Sequence, residues 1–138
     1  MYLTISKRLE FSASYRYQVR KWSEENNRAF FGPEGGGSHG IGSNFTAYFV
    51  FGGSPDAKSG MLINVADIKQ RAGHLLAQRY DHKFLNEDTP PFDEMVPTPE
   101  NIARQLLSDA APLFANRPAQ LAVCHLTMTP TREASAYA

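Results

Sequence analysis

Hydrophobic side chains fall on alternate positions in two stretches of the chain. Leu3, Ile5, Leu9 and Phe11 share odd parity in the first, and Phe45, Ala47, Phe49 and Phe51 share it in the second. A strand turns successive side chains to opposite faces, so each run predicts a strand with one buried face. Gly52-Gly53-Ser54-Pro55-Asp56 predicts a turn before a third strand at residues 60–63. The period then lengthens. Val65, Ile68, Ala72, Leu75, Leu76 and Arg79 recur at helical spacing behind Asn64 or Asp67 as the cap. Gly73 inside that helix costs about 1 kcal/mol relative to alanine. Thr98-Pro99-Glu100-Asn101 predicts a second helix start, with Ile102, Leu106, Ala110 and Leu113 along one face. Residues 121–128 return to strand character. The order strand, strand, strand, helix, helix, strand predicts an α+β domain with both helices on one face of an antiparallel sheet.

Between the first two strands lies a long excursion over residues 18–43. It holds Arg20, Lys21, Glu24, Glu25 and Arg28, the pair Phe30-Phe31, and six glycines among residues 32–42. A loop longer than about 15 residues in a compact domain is either functional or a disordered insert.

At 138 residues the chain makes one domain, small enough that exposed faces favour oligomerisation. Its 14 basic and 14 acidic side chains cancel, so neither nucleic acid nor an anionic membrane is an expected partner. No apolar run approaches the roughly 20 residues that span a bilayer, and the first 15 lack a secretory layout, so the expected location is cytoplasmic. Cys124 is the only cysteine, which excludes an internal disulfide and a cysteine metal cluster.

Several motifs add chemistry to this outline. Phe11-Ser12-Ala13-Ser14, Gly42-Ser43-Asn44-Phe45, Gly60-Met61-Leu62-Ile63-Asn64, Tyr80-Asp81-His82-Lys83-Phe84-Leu85-Asn86 and Pro97-Thr98-Pro99-Glu100-Asn101-Ile102-Ala103 follow one another along the chain. In order and spacing they resemble the signatures of the 6-pyruvoyl-tetrahydropterin synthase family. That resemblance implies the tunnelling fold, a four-stranded antiparallel sheet covered by two helices. It also implies an oligomeric β-barrel, with three sheets closing each barrel, two trimers stacking into a hexamer, and pockets at the subunit interfaces.

The resemblance is incomplete where the family does its chemistry. Tyr15, Ile41 and Ser43 occupy the positions of its three zinc histidines. A catalytic zinc site takes about three protein ligands, commonly imidazoles, and an isoleucine has no donor atom. His39 shares the parity of Ile41 and Ser43 but would be a lone ligand, so no metal and no other cofactor is expected. The family's nucleophilic cysteine, a base glutamate in one subgroup, maps near Glu34. Its glutamate anchor for the pterin ring maps to Met128, a thioether that accepts hydrogen bonds poorly, and Glu133 lies five residues further on. Asp81-His82 matches the pair that assists proton transfer, while Thr98 and Glu100 match positions that line the cavity.

The candidate catalytic set is therefore Asp81, His82 and Glu34, and the candidate ligand-binding set is Thr98, Glu100, Tyr15, Ser43 and Met128. The double loss of zinc ligands and pterin anchor favours a zinc-independent, non-catalytic relative. Such a relative would bind a small molecule, pterin-like or more apolar, at a subunit interface. The alternative is an active pterin lyase or synthase working through Asp81-His82 and Glu34.

Overall fold

The computed structural model describes residues 1–36 and 39–138. Two 13-residue strands, β1 (Leu3–Tyr15) and β2 (Ile41–Gly53), pair antiparallel along their whole length, Leu3 opposite Gly53 and Tyr15 opposite Ile41. The odd-parity residues face the core as their alternation predicts: Phe11, Tyr15, Phe45, Phe49 and Phe51 are all buried. Phe11 and Phe45 sit directly opposite, their rings stacked with centroids 4.8 Å apart, a cross-strand aromatic contact that fixes the register. The sheet continues through β4 (Gln120–Thr129) and β5 (Arg132–Tyr137). A two-residue β3 (Lys83–Phe84) lies parallel to β1 on the other side, giving the order β3-β1-β2-β4-β5.

Both long helices cover the odd-parity face. Helix α3 (Val65–Arg79) buries Ile68, Ala72 and Leu76, and Asn64 caps it by accepting from the Ala66 amide at 2.9 Å. Helix α5 (Pro99–Ala110), which follows the single turn α4 (Leu85–Asp88), buries Ile102, Ala103, Leu106 and Ala110, and the Thr98 hydroxyl accepts from the Asn101 amide at 3.2 Å. Each cap satisfies an amide with no partner inside its helix. A short turn of 3-10 helix, Ala111–Phe114, follows and buries Phe114. None of the described helices is long and apolar enough to cross a membrane.

Three sequence expectations change. No strand forms at residues 60–63. The Asp56 carboxylate there accepts from the amides of Lys58 and Ser59 and from the Ser59 hydroxyl, Gly60 takes a φ of 73°, and Leu62 and Ile63 plug the core without a pairing partner. The excursion at 18–43 is not a bare loop, because α1 (Glu24–Phe31) and the single turn α2 (Pro33–Gly36) lie within it. Its helical content was hard to read because α1 buries only the polar Asn27, whose amide is bonded to both backbone groups of Val19 and to the Ser23 carbonyl. Residues 37 and 38 of the glycine-rich stretch lie outside the described residues. Finally, β5 completes the set of four long strands. Its inward residues are Arg132 and the small Ala134 and Ala136, which gave little hydrophobic signal, and the alanines let α5 approach the sheet.

Candidate functional site

The register of β1 and β2 decides what meets at one end of the sheet. Tyr15 and Ile41 are direct partners, Ser43 is one inward step along β2, and Met128 ends the buried run of β4. All four lie toward the helix-covered face. The excursion supplies the fifth member. The Tyr17 amide donates to the Glu34 carbonyl at 3.0 Å, which swings the Glu34 side chain against the sheet.

A compact polar cluster results. The Tyr15 hydroxyl donates to Glu34 Oε2 at 3.0 Å, and Arg132 Nη1 lies 2.7 Å from both Glu34 oxygens. The same Nη1 approaches the Tyr17 hydroxyl at 3.4 Å and the Met128 sulfur at 3.7 Å. Tyr17 Oη contacts that sulfur at 3.5 Å. Burial, and after it the Glu34 hydrogen bond, pushes the Tyr15 hydroxyl well above its ordinary value. Burial also pushes Tyr17 up to about 12, with the Glu34 and Glu100 carboxylates adding to the shift and Arg132 opposing it. Both phenols therefore stay protonated near neutral pH and serve as hydrogen-bond donors rather than anionic ligands.

This donor set does not suit zinc. Of the three positions, one is aliphatic, one is a phenol already committed to Glu34, and one is a hydroxyl donating to the Met128 carbonyl at 2.6 Å. Among the described residues no group of three histidine, cysteine or acidic side chains could hold a metal ion. The glutamate that the family mapping offered as a base is tied into an ion pair.

Asp81 and His82 sit apart, at the other edge of β1. Asp81 Oδ1 accepts from the Ser12 amide at 2.9 Å, while the His82 amide donates to the Ser12 carbonyl at 2.6 Å. Together they pin β3 alongside β1. The His82 ring is exposed, its Nδ1 is 3.8 Å from Asp81 Oδ2, and its backbone has a φ of 60°. That separation exceeds a hydrogen bond, so the carboxylate does not orient the imidazole within this chain. His82 nevertheless shares an open depression of about 460 Å³ with Ser12, Ser14, Ser43 and Asn44. Thr98 is occupied as a helix cap. Glu100, in the first turn of α5, has its charge felt at Tyr17. Cys124 is buried in the core, and that burial pushes its thiol up to about 12, leaving it inert.

Two members of the cluster escaped the sequence reading. Tyr17 shares the parity of Tyr15 and was legible on that ground. Arg132 was not, because its direction depends on β5, where it pairs opposite Thr129 just past Met128.

Residues 4–138 match the family model described as 6-pyruvoyl tetrahydropterin synthase. The chain is 36% identical over 99 residues to the 6-pyruvoyl tetrahydrobiopterin synthase of Homo sapiens, a span covering 72% of this chain and 68% of that protein. It is 31% identical over 99 residues to the Drosophila melanogaster synthase, covering 72% and 58%. Among solved structures, the Caenorhabditis elegans 6-pyruvoyl tetrahydropterin synthase superposes with a TM-score of 0.89 at 26% identity, over 100% of this chain and 96% of that one. An uncharacterized protein from Wolinella succinogenes shares the fold with a TM-score of 0.73 at 15% identity, over 99% and 98%.

Proposed function

This chain belongs to the 6-pyruvoyl tetrahydropterin synthase family, and from that premise we propose that it is a zinc-independent, non-catalytic relative that binds a small flat ligand. The ligand, pterin-like or more apolar, would sit at an interface between subunits of a closed barrel, a hexamer of two stacked trimers. One observation carries the reading. The positions that would supply zinc ligands, base and ring anchor converge in space, and their side chains satisfy one another: Tyr15 with Glu34, Ser43 with the Met128 backbone, Glu34 with Arg132. A base held in a salt bridge and a histidine without its orienting carboxylate leave no proton relay within one subunit.

The oligomer is supported by the sheet edges. Among the described residues β3 pairs with β1 only at Ala13 and Ser14, so most of β1 has an open edge, and the outer edge of β5 is open along its length. Such edges invite pairing with further chains, and closure across subunits removes them.

Two measurements test the reading together. Elemental analysis of the dialysed protein should find far less than one zinc per chain, and a 6-substituted dihydropterin incubated with the protein should show no turnover. Turnover at an ordinary enzymatic rate, about 1 per second or faster, would overturn it in favour of a lyase or synthase using Asp81, His82 and Glu34.

A further inference from the structure

We infer that a second cavity, built on Arg16 and separate from the Tyr15–Glu34–Arg132 cluster, binds a small linear zwitterion with its carboxylate inward and its ammonium at the mouth. The inference goes beyond the functional reading above and does not rest on it, because no member of that cluster lines this cavity.

The cavity, of about 420 Å³, lies where the chain leaves β1. Arg16, Gln18 and Arg20 are alternate residues of one segment and all three line it, with Phe84, Glu87 and Asp93 across from them in the chain that runs through and beyond α4. Its volume falls in the range of small-molecule sites. The Arg16 backbone is held rigidly: the Asn86 side chain accepts from the Arg16 amide and donates to the Arg16 carbonyl, both at 2.8 Å. A mount fixed in this way leaves less to be ordered when a ligand binds.

Charge in the cavity changes sign with depth. The Arg16 side chain is only 10% exposed, yet its guanidinium is poorly matched. Its Nε is buried without an acceptor, and Nη2 reaches the Gly35 carbonyl at a long 3.4 Å. The one carboxylate within 4 Å among the described residues, Glu24, stands 3.6 Å away on an exposed side chain. A desolvated guanidinium with most of its five donors unused favours an incoming carboxylate. At the mouth the preference reverses. Glu87 and Asp93 are exposed, and among the described residues neither carboxylate is in an ion pair. Arg20 does not offset them, because its Nη1 is already bonded to Glu94 at 2.9 Å and to the Asp93 carbonyl at 3.4 Å. A ligand with negative charge alone gains at Arg16 and is repelled at the mouth, whereas one with opposite charges at its two ends is matched at both.

Thermal denaturation of the full chain is followed while γ-aminobutyrate, sodium butyrate or n-butylammonium chloride is added, with sodium chloride holding ionic strength constant. Calorimetry on the parent should give one γ-aminobutyrate site per chain and supply its dissociation constant. At ten times that constant γ-aminobutyrate should raise Tm by about 4 °C, and butyrate and butylammonium at the same concentration by less than about 1 °C. Arg16→Gln should abolish the gain. The Glu87→Gln, Asp93→Asn double variant changes only exposed side chains and should reduce the gain to the level of butyrate; if Arg16→Gln does not fold, this double variant decides the matter. An absent gain in the parent, an equal gain with butyrate or butylammonium, or an undiminished gain in either folded variant would overturn the inference.

Discussion

Placing histidine at Tyr15, Ile41 and Ser43 together should turn this chain into a zinc binder. The perturbation follows from the pairing register. Tyr15 and Ile41 are direct antiparallel partners, and Ser43 lies two residues on along the same strand, facing the same side. Direct partners have Cα atoms about 4.5–5.5 Å apart, within which imidazoles on adjacent strands can reach one ion at about 2.0–2.1 Å. Without metal the triple variant should be less stable than the parent. It loses the Tyr15 hydrogen bond to the Glu34 carboxylate, worth about 1.5–3 kcal/mol as a bond to a charged group, and the Ser43 bond to Met128, worth about 1 kcal/mol. Zinc at a thousand times its dissociation constant contributes about 4.1 kcal/mol, near the sum of those losses. At about 3 °C per kcal/mol for a domain of this size, zinc should raise Tm by about 12 °C. Differential scanning fluorimetry with zinc and with a chelator, beside elemental analysis, reads both terms. A triple variant whose Tm moves by less than about 2 °C with zinc would show that the three positions do not converge on one ion. A parent that holds one zinc per chain and loses it on chelation would defeat the donor-set argument itself.

Further outcomes follow from the same geometry. Asp81→Asn weakens the acceptor for the Ser12 amide and should cost about 1–3 kcal/mol in urea denaturation; a neutral result would remove the strand-pinning role assigned to it. His82→Gly should stabilise the chain by up to about 1 kcal/mol, because the φ of 60° suits glycine and the exposed ring contributes little packing; a clear loss of stability would mean the imidazole has a structural partner. Tyr17 and Cys124 both titrate near 12 in the fold against ordinary values of 10.0 and 9.0. The unfolded chain therefore releases these protons first, and stability, fully present below about pH 9, should fall as pH rises from about 9 to 12. A urea midpoint that stays flat to pH 11 would refute this, and Tyr17→Phe should flatten the upper part of the slope. Light scattering should report a particle several times the 15.4 kDa chain mass; a monomer at micromolar concentration would count against barrel closure and the interface pocket.

The sequence by itself determined the frame. Odd-parity runs in β1 and β2, capped starts at Asn64 and Thr98, and helical spacing behind each were legible because burial of one face imposes a period that local residues must obey. Through the family resemblance it also assigned Tyr15, Ser43, Met128, Glu34, Asp81, His82, Thr98 and Glu100 to one site, of which the fold brings the first four together and leaves Asp81-His82 against Ser12. Elements that bury little apolar surface were illegible: α1, built around the polar Asn27, and β5, whose inward alanines carry almost no hydrophobic signal. What Glu34 and Asp81 do could be decided only in three dimensions. A carboxylate reads the same in sequence whether it faces solvent, a substrate, an amide or a guanidinium, and its role follows from its partner. Here those partners are Arg132, 98 residues away, and the Ser12 amide, 69 residues away. Such long separations are bridged only when the sheet closes its register and the excursion folds back across its end.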